Sequence, residues 1–153
     1  MSAEDRIKEL GIELPNPPGP LGNYIGATRT GNLIYLSGHG PRNADGSMIS
    51  GKVGADMDID AAYAAARIVG LGLLSTLKAH IGDLNKVKQV IKTLGMVNAV
   101  PEFNEHPKVI NGASDLFVDV FGDAGRGARS AVGMGSLPNQ IPVEVEMIIE
   151  IED

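Results

Sequence analysis

The sequence predicts an α+β protein in which two main helices cover one face of a β-sheet. Segments with the apolar spacing of strands and helices follow one another in the order strand, strand, helix, strand, helix, strand, strand. Two helices and about five strands are enough for a two-layer sandwich. At 153 residues, the chain is long enough to bury one sizeable core. We therefore expect residues 1–153 to form a single domain.

Residues 1–20 are predicted to form a short helix and an extended arm ahead of the sheet. Ser2 is a good N-cap, the residues after it are acidic, and Gly11 is a good helix terminator. Residues 14–20 hold four of the nine prolines, so this segment must run extended along the surface.

The first two strands are expected at 23–28 and 33–37, with a turn between them. The second reads Leu-Ile-Tyr-Leu-Ser, which is apolar without alternation and is typical of a strand covered on both faces. Two helices can cover only one face of the sheet, and so short a chain has little left to cover the other. We therefore expect a homo-oligomer in which another subunit provides that cover.

Apolar spacing also predicts the later elements. In chain order they are a helix from Asp58 or Asp60 to about His80, a strand at 87–100, a second helix at 107–121, and strands at 130–137 and 143–151. The last strand alternates, with valine, methionine and isoleucine on one face and mostly glutamate on the other. The pair Asn139–Gln140 could form a tight turn that brings the last two strands side by side.

Composition argues against several classes of function. The formal net charge is −6 and aromatic residues make up 4% of the chain, whereas nucleic-acid binders usually carry basic stripes and stacking aromatics. The chain has no cysteine, and its three histidines are far apart without metal-ligand spacing. The longest apolar stretch, 61–77, is interrupted by Arg67 and glycines, and the N-terminus has no apolar leader. We expect a cytoplasmic protein that binds no metal, nucleic acid or membrane.

Arg129 and Glu144 are the first candidates for functional residues. Arg129 stands among small residues at the start of one predicted strand, and Glu144 stands near the start of the next. A guanidinium and a carboxylate in adjacent strands could bind a small carboxylic acid and handle one proton. The residues alone leave other interpretations open: Arg129 could pair with a surface acid, and spacing does not distinguish Glu144 from Glu146, Glu150 and Glu152.

Two further segments have open interpretations. Ser37 and Gly38 end the apolar strand, where a hydroxyl and exposed amides could bind an anion, or could simply form a strand exit. The sequence contains no G-x-S-x-G motif, which excludes a serine nucleophile of that type. Ala131, Gly133 and Gly135 give the next-to-last strand a small face, which leaves either a pocket or room for another backbone.

Two segments of the chain resemble the RidA family, also known as YjgF and by the older label endoribonuclease L-PSP. One is Ala-Arg-Ser-Ala-Val…Leu-Pro…Val-Glu-Val-Glu within 128–146, and the other is Asn-Tyr…Gly-Asn-Leu-Ile-Tyr-Leu-Ser-Gly within 23–38. The match covers roughly residue 20 to the C-terminus. It implies a chorismate-mutase-like α+β fold with a mixed sheet, and a homotrimer whose pockets for small molecules lie between subunits.

The resemblance also implies an activity and a set of site residues. Family members that keep the arginine are enamine/imine deaminases, which hydrolyse 2-aminoacrylate-type intermediates to 2-keto acids and ammonia without a cofactor. The implied positions are Arg129 for the substrate carboxylate, Glu144 and Tyr24 for catalysis, and Ser37, Gly38 and Asn111 in the pocket. Two rivals are a non-catalytic binder of small carboxylates such as 2-keto acids, and the ribonuclease of the older label, which the acidic charge disfavours.

The chain also departs from the family pattern. It carries the N-terminal helix and arm, and an insertion near 101–107. His39 stands where glutamine is common in the family, and Gly127 stands where proline is common. These departures indicate a divergent subgroup of the family, whose pocket could have been retuned to another carboxylate.

Overall fold

The computed structural model describes residues 1–20 and 22–153. Its helices are α1 Ala3–Glu9, α2 Ile59–Ile81 and α3 His106–Phe121, and its strands are β1 Ala27–Thr30, β2 Leu33–His39, β3 Val87–Asn98, β4 Ala128–Met134 and β5 Val143–Ile151. Short 3-10 turns lie at Leu84–Lys86, Gly122–Gly125 and Pro138–Gln140. The predicted α+β class and the order of elements are confirmed. The largest errors in the bounds are at β1, which begins at residue 27 instead of 23, and β4, which ends at 134 instead of 137.

The five strands form one mixed sheet in the order β1-β2-β5-β3-β4. All neighbours are antiparallel except β3 and β4, which are parallel. The prediction that β4 and β5 lie side by side is wrong, because β3 lies between them. The chain leaves β3 through α3, and such a crossover delivers a parallel strand, here to the outer edge of β3. Asn139 and Gln140 have φ values of 56° and 54° within a 3-10 turn, and they form no hairpin.

Helices α2 and α3 cover one face of this sheet. The alternation predicted for β5 is confirmed, because its apolar side chains at 143, 145, 147, 149 and 151 are all buried beneath the helices. Burial of each such side chain contributes about 1.5–3 kcal/mol to folding. The two helices approach closely at Gly112, where an added Cβ would overlap the carbonyl oxygen of Tyr63.

Helix α2 is the central core helix. It begins at Asp58, whose side chain accepts a hydrogen bond from the Ala61 amide at 2.8 Å and so confirms the first of the two predicted caps. By length and composition alone it could cross a membrane, but half of that apolar window is buried inside the protein. Its buried residues pack against α3 and the sheet, as expected of a core helix.

The N-terminal segment is fastened to α2. Helix α1 begins with the predicted cap, since Ser2 and Asp5 exchange hydrogen bonds in a capping box. Glu4 accepts hydrogen bonds from Lys78 Nζ at 2.8 Å and from the Leu84 amide at 3.1 Å. Beyond α1, the proline-rich arm reaches α2, where the Ser75 hydroxyl donates to the carbonyl of Pro15. The arm is therefore held in one place along the helix.

The opposite face of the sheet, which the helices do not cover, carries both apolar and charged side chains. In register across β2, β5 and β3, this face presents Tyr35, Ile148 and Lys92. Tyr35 is 43% exposed, and Val132 on β4 is 39% exposed. At one end of the face, Met96 packs against Leu137 and Ile141 from the loop between β4 and β5. The expectation that another subunit covers the rest stays a prediction.

Candidate functional site

Arg129 lies at the edge of the sheet and turns toward helix α3. It is in register with Thr93 of β3, which is buried on the helix side. Its Nη1 donates hydrogen bonds to Asn111 Oδ1 at 2.7 Å and to Ser114 Oγ at 3.2 Å. Asn111 and Ser114 are three residues apart on α3, so they lie on one side of the helix. The structure thus brings together two of the predicted residues, Arg129 and Asn111.

The guanidinium of Arg129 has N–H donors in addition to those that bind Asn111 and Ser114. Within residues 1–20 and 22–153, no carboxylate forms an ion pair with it, which argues against a surface salt bridge as its role. Both of its hydrogen bonds use Nη1. A guanidinium also donates from Nε and Nη2, so these groups can bind a carboxylate in the two-pronged geometry typical of arginine.

Glu144 lies on the other face of the sheet, beside Gly38. It is in register with Met96 of β3. A Cβ built on Gly38 would lie 2.7 Å from Glu144 Oε2, so only glycine allows the carboxylate to come so near the end of β2. Partial burial raises the pKa of the Glu144 carboxyl above its ordinary value, and the charge of Glu146 raises it further. A carboxylate with a raised pKa is a better proton acceptor near neutral pH.

Tyr24, Ser37 and Gly38 line one cavity of about 750 Å³. Ser37 fastens the segment that carries Tyr24 to the end of β2, because its hydroxyl donates to the Ile25 carbonyl at 2.6 Å and its amide donates to the Gly26 carbonyl at 2.9 Å. The strand bulges between Leu36 and His39, where its register with β5 shifts. The bulge turns Gly38 toward Glu144.

The predicted site residues therefore form two groups. Arg129 and Asn111 lie at the β4 edge on the helix side, whereas Tyr24, Ser37, Gly38 and Glu144 gather around the end of β2. The positions on β3 that are in register with Arg129 and Glu144 are Thr93 and Met96, which are three residues apart, so the two side chains leave the sheet on opposite faces. A pairing of Arg129 with Glu144 across adjacent strands of one chain is wrong.

His39 is buried behind the bulge. Its Nδ1 lies 2.6 Å from the Ser37 carbonyl and its Nε2 lies 2.7 Å from Thr76 Oγ1. Burial lowers the pKa of His39 below its ordinary value, the hydrogen bond to Ser37 opposes this, and the positive Arg42 lowers the pKa further. A neutral ring that donates from Nδ1 to Ser37 and accepts at Nε2 from Thr76 satisfies both partners.

The small face of β4 has a different use from the two that the sequence left open. A Cβ on Gly133 would lie 2.5 Å from His106 Nε2, so the missing side chain makes room for that ring at the start of α3. In the part of the chain that the structure describes, no cluster of three His, Asp or Glu residues could hold a metal ion. The expectation that no metal binds stays a prediction.

Comparison with known proteins places the chain in a family. A family model described as "YjgF/chorismate_mutase-like, putative endoribonuclease" matches residues 4–150. The chain belongs to the YjgF family. The predicted RidA (YjgF) membership and the chorismate-mutase-like fold are thereby confirmed. Protein TCP17 of Trypanosoma cruzi is 40% identical to this chain over 96% of this chain and 92% of that protein.

Other proteins similar to this chain carry a named activity or have a solved structure. The 2-iminobutanoate/2-iminopropanoate deaminase of Dermatophagoides farinae is 29% identical over 92% of this chain and 95% of its own. An Agrobacterium tumefaciens protein of unknown function is similar at a TM-score of 0.89 and 45% identity, covering 99% of this chain and 94% of that one. A "putative endoribonuclease" from Shewanella oneidensis has a TM-score of 0.94 and 33% sequence identity, covering 99% of this chain and 100% of that one. Such coverage means that α1 and the arm have counterparts in these structures.

Proposed function

We propose that the protein is an enamine/imine deaminase that hydrolyses 2-aminoacrylate-type intermediates to 2-keto acids and ammonia. The observation that carries the proposal is Arg129, a part-buried guanidinium that Asn111 and Ser114 hold in place without neutralising it. Relatives named 2-iminobutanoate/2-iminopropanoate deaminase, at 29% identity, support the same reaction.

The complete site would need two subunits. Because Arg129 and Glu144 leave the sheet on opposite faces, we propose that Arg129 of one subunit faces Tyr24, Ser37, Gly38 and Glu144 of its neighbour in a homotrimer. The face of the sheet that the helices leave uncovered exposes Tyr35 and Val132 and provides surface for such an assembly. Light scattering that gave a particle of 16.0 kDa, the mass of one chain, would contradict this arrangement.

The chemistry of hydrolysis suits these residues. 2-Aminoacrylate reaches its imine tautomer when a proton moves from nitrogen to the methylene carbon. Arg129 binds the carboxylate of the imine and so orients the imine carbon. Glu144 accepts a proton from water as its oxygen bonds to that carbon, and the proton then passes to nitrogen. The second proton of the water also passes to nitrogen as the C–N bond breaks, so ammonia leaves and the carbonyl of the 2-keto acid forms. The hydroxyl proton of Ser37 is already donated to Ile25, so its oxygen can only accept a hydrogen bond from the substrate.

The decisive experiment compares two arginine variants. A serine or threonine dehydratase generates 2-aminoacrylate in situ, and release of the keto acid is followed with wild type, Arg129→Ala and Arg126→Ala. We expect Arg129→Ala to lower kcat/KM about a hundredfold, because both hydrogen bonds to the carboxylate are lost. Arg126 is the matched control, since it is exposed and pairs with Asp123 at 2.6 Å. It should retain full activity.

Other outcomes separate the rival functions. If wild type does not accelerate keto-acid release, the deaminase proposal fails. Binding of 2-ketobutyrate without turnover would then indicate a non-catalytic carboxylate binder, which Arg129 alone could support. If stringently purified protein cleaves RNA, and Arg129→Ala cleaves it equally well, the result would favour the ribonuclease function.

A further inference from the structure

The cavity beside Ser37 and Gly38 is much larger than a small imino acid requires. Its volume is about 750 Å³, within the range of about 300–1,000 Å³ typical of pockets for drug-sized ligands. An imino acid such as 2-iminopropanoate has only a few non-hydrogen atoms. From the end of β2, the cavity continues between helix α2 and the proline-rich arm. Its size therefore calls for an occupant larger than the reacting group.

The walls of this extension favour an apolar occupant. Prolines of the arm form one side and Ile68 and Leu71 of α2 form the other. Two charged residues on the walls, Glu13 and Arg42, have opposite signs, and the buried ring of His39 is neutral at neutral pH because burial lowers its pKa. The walls thus carry no net charge to attract an ionic group. Apolar atoms make up the larger part of the walls, so burial of apolar surface would contribute to the binding free energy.

Gly72 leaves one position of the cavity wall on α2 without a side chain. It lies in the interior of α2, where glycine costs about 0.8–1.0 kcal/mol relative to alanine. Packing does not require it, because an added Cβ would meet only His39 Cδ2, at an ordinary contact distance of 3.7 Å. Gly112 differs, since the neighbouring backbone excludes any side chain there. A larger side chain at position 72 would project into the cavity that Gly72 lines.

The roof of the cavity is fixed in place. The Ser75 hydroxyl binds the Pro15 carbonyl, and Glu4 of α1 binds Lys78 and the Leu84 amide. Proline locks the backbone φ, so this arm loses little conformational entropy when a ligand binds beneath it. A pocket with a pre-formed roof can select a ligand by its size.

We propose that this cavity binds the side chain of the substrate, so that the protein prefers 2-imino acids with large apolar side chains over 2-iminopropanoate. The inference rests on the proposed deaminase function. The imine carbon would lie at the mouth of the cavity, where Ser37 and Gly38 line it and Glu144 adjoins Gly38, and the side chain would extend beneath the arm toward Gly72. The reaction is the hydrolysis already described, in which water is consumed and one 2-keto acid and one ammonia are released.

The test compares a small and a large imine from one source. A D-amino-acid oxidase with catalase generates the imines of D-alanine and D-phenylalanine in situ, and kcat/KM for keto-acid release is measured for each. We expect wild type to favour the phenylalanine-derived imine by about tenfold or more. In Gly72→Leu, the ratio of the two kcat/KM values should fall at least about tenfold, because the new side chain fills the pocket.

Two further variants keep the test decisive. Gly72→Ala fits without a clash and should lower the ratio partly, so it replaces Gly72→Leu if the latter does not fold. Ala79→Leu also places a leucine on α2, at an exposed position, and should leave both kcat/KM values unchanged. A fall in the ratio with Ala79→Leu as large as that with Gly72→Leu would overturn the assignment of the pocket.

The outcomes separate this inference from the proposed function. If wild type accelerates hydrolysis of the alanine-derived imine but acts no better on the larger one, the side-chain pocket is wrong and the deaminase stands. If it accelerates neither, the deaminase is wrong, and calorimetric binding of phenylpyruvate and pyruvate decides about the cavity. Tighter binding of phenylpyruvate that Gly72→Leu abolishes would support the pocket, and equal binding would overturn it.

Discussion

The carboxyl of Glu144 should control how the activity responds to pH. Its pKa is raised by burial and by the charge of Glu146 on the same face of β5. A general base must be ionised, so kcat/KM should rise with pH through the pKa of Glu144. In Glu146→Gln, one of the two causes is removed, and the acid limb of the profile should move to lower pH. Profiles of kcat/KM against pH for the two proteins measure this shift.

A matched control is available on the same strand. Glu150 lies on the same face of β5 as Glu146, but it pairs with Lys88 at 3.2 Å and does not act on the pKa of Glu144. Glu150→Gln should therefore leave the acid limb in place. If Glu146→Gln also leaves it in place, the limb does not report the ionisation of Glu144.

His39 makes a second pH-dependent contribution, in this case to stability. Burial holds its pKa below the ordinary value of 6.5, so the folded protein keeps the ring neutral while the unfolded chain takes up a proton. The stability that His39 provides is present above about pH 6.5 and is lost as the pH falls through the folded pKa. His39→Gln can still donate and accept hydrogen bonds but does not titrate.

Urea unfolding near pH 7.5 and near pH 5 measures this difference. We expect wild type to lose more unfolding free energy between the two values than His39→Gln does. His80→Gln, at an exposed position in the last turn of α2, should behave like wild type. An equal loss in wild type and His39→Gln would show that the ring is not held neutral.

Sequence analysis located individual site residues better than it located their partners. The family resemblance predicted both Arg129 and Asn111 as site residues. In the structure, Arg129 Nη1 lies 2.7 Å from Asn111 Oδ1. Ser114 was missed, although its spacing of three residues from Asn111 was a usable signal once α3 was predicted. The face on which Glu144 lies relative to Arg129 was not predictable, because it depends on which strand separates them.

Among the elements, the contact between α2 and α3 depends most on a single position. Alanine at Gly112 would overlap the Tyr63 carbonyl oxygen and force the helices apart, which should lower stability by about 1–3 kcal/mol despite the better helix propensity of alanine. Gly72→Ala is the matched control and should raise stability by about 0.5–1 kcal/mol. Equilibrium unfolding in urea measures both changes. A Gly112→Ala protein as stable as wild type would contradict this view of the contact.

Local signals predicted the elements but not all of their neighbours. The caps at Ser2 and Asp58 and the alternation of β5 depend on short-range chemistry, and all three were correct. The place of β4 was wrong because nearness in sequence suggested a hairpin, whereas the crossover through α3 carries the strand to the far side of β3. The course of the arm over α2 was also not predictable, since it depends on contacts such as that of Ser75 with Pro15.

For the whole molecule, a site shared between subunits predicts complementation. Arg129→Ala and Glu144→Gln should each be inactive alone. When equal amounts are unfolded together and refolded, a pocket is intact only if it takes its arginine from one variant and its glutamate from the other, so about one quarter of the wild-type activity should return. Keto-acid release from the mixture measures the recovery. No recovery, although tagged subunits are shown to exchange, would place both residues in one subunit.

The central position of β5 also constrains how the chain can be assembled as it is synthesised. This strand lies between β2 and β3, yet it is made after all four of the other strands. Until it emerges, the pair β1–β2 and the pair β3–β4 are two separate ribbons, each with an open edge. Nascent chains that stall before residue 143 should therefore be prone to aggregate and should need chaperones. The five strands can join into one sheet only after β5, the last strand in the chain, has been synthesised.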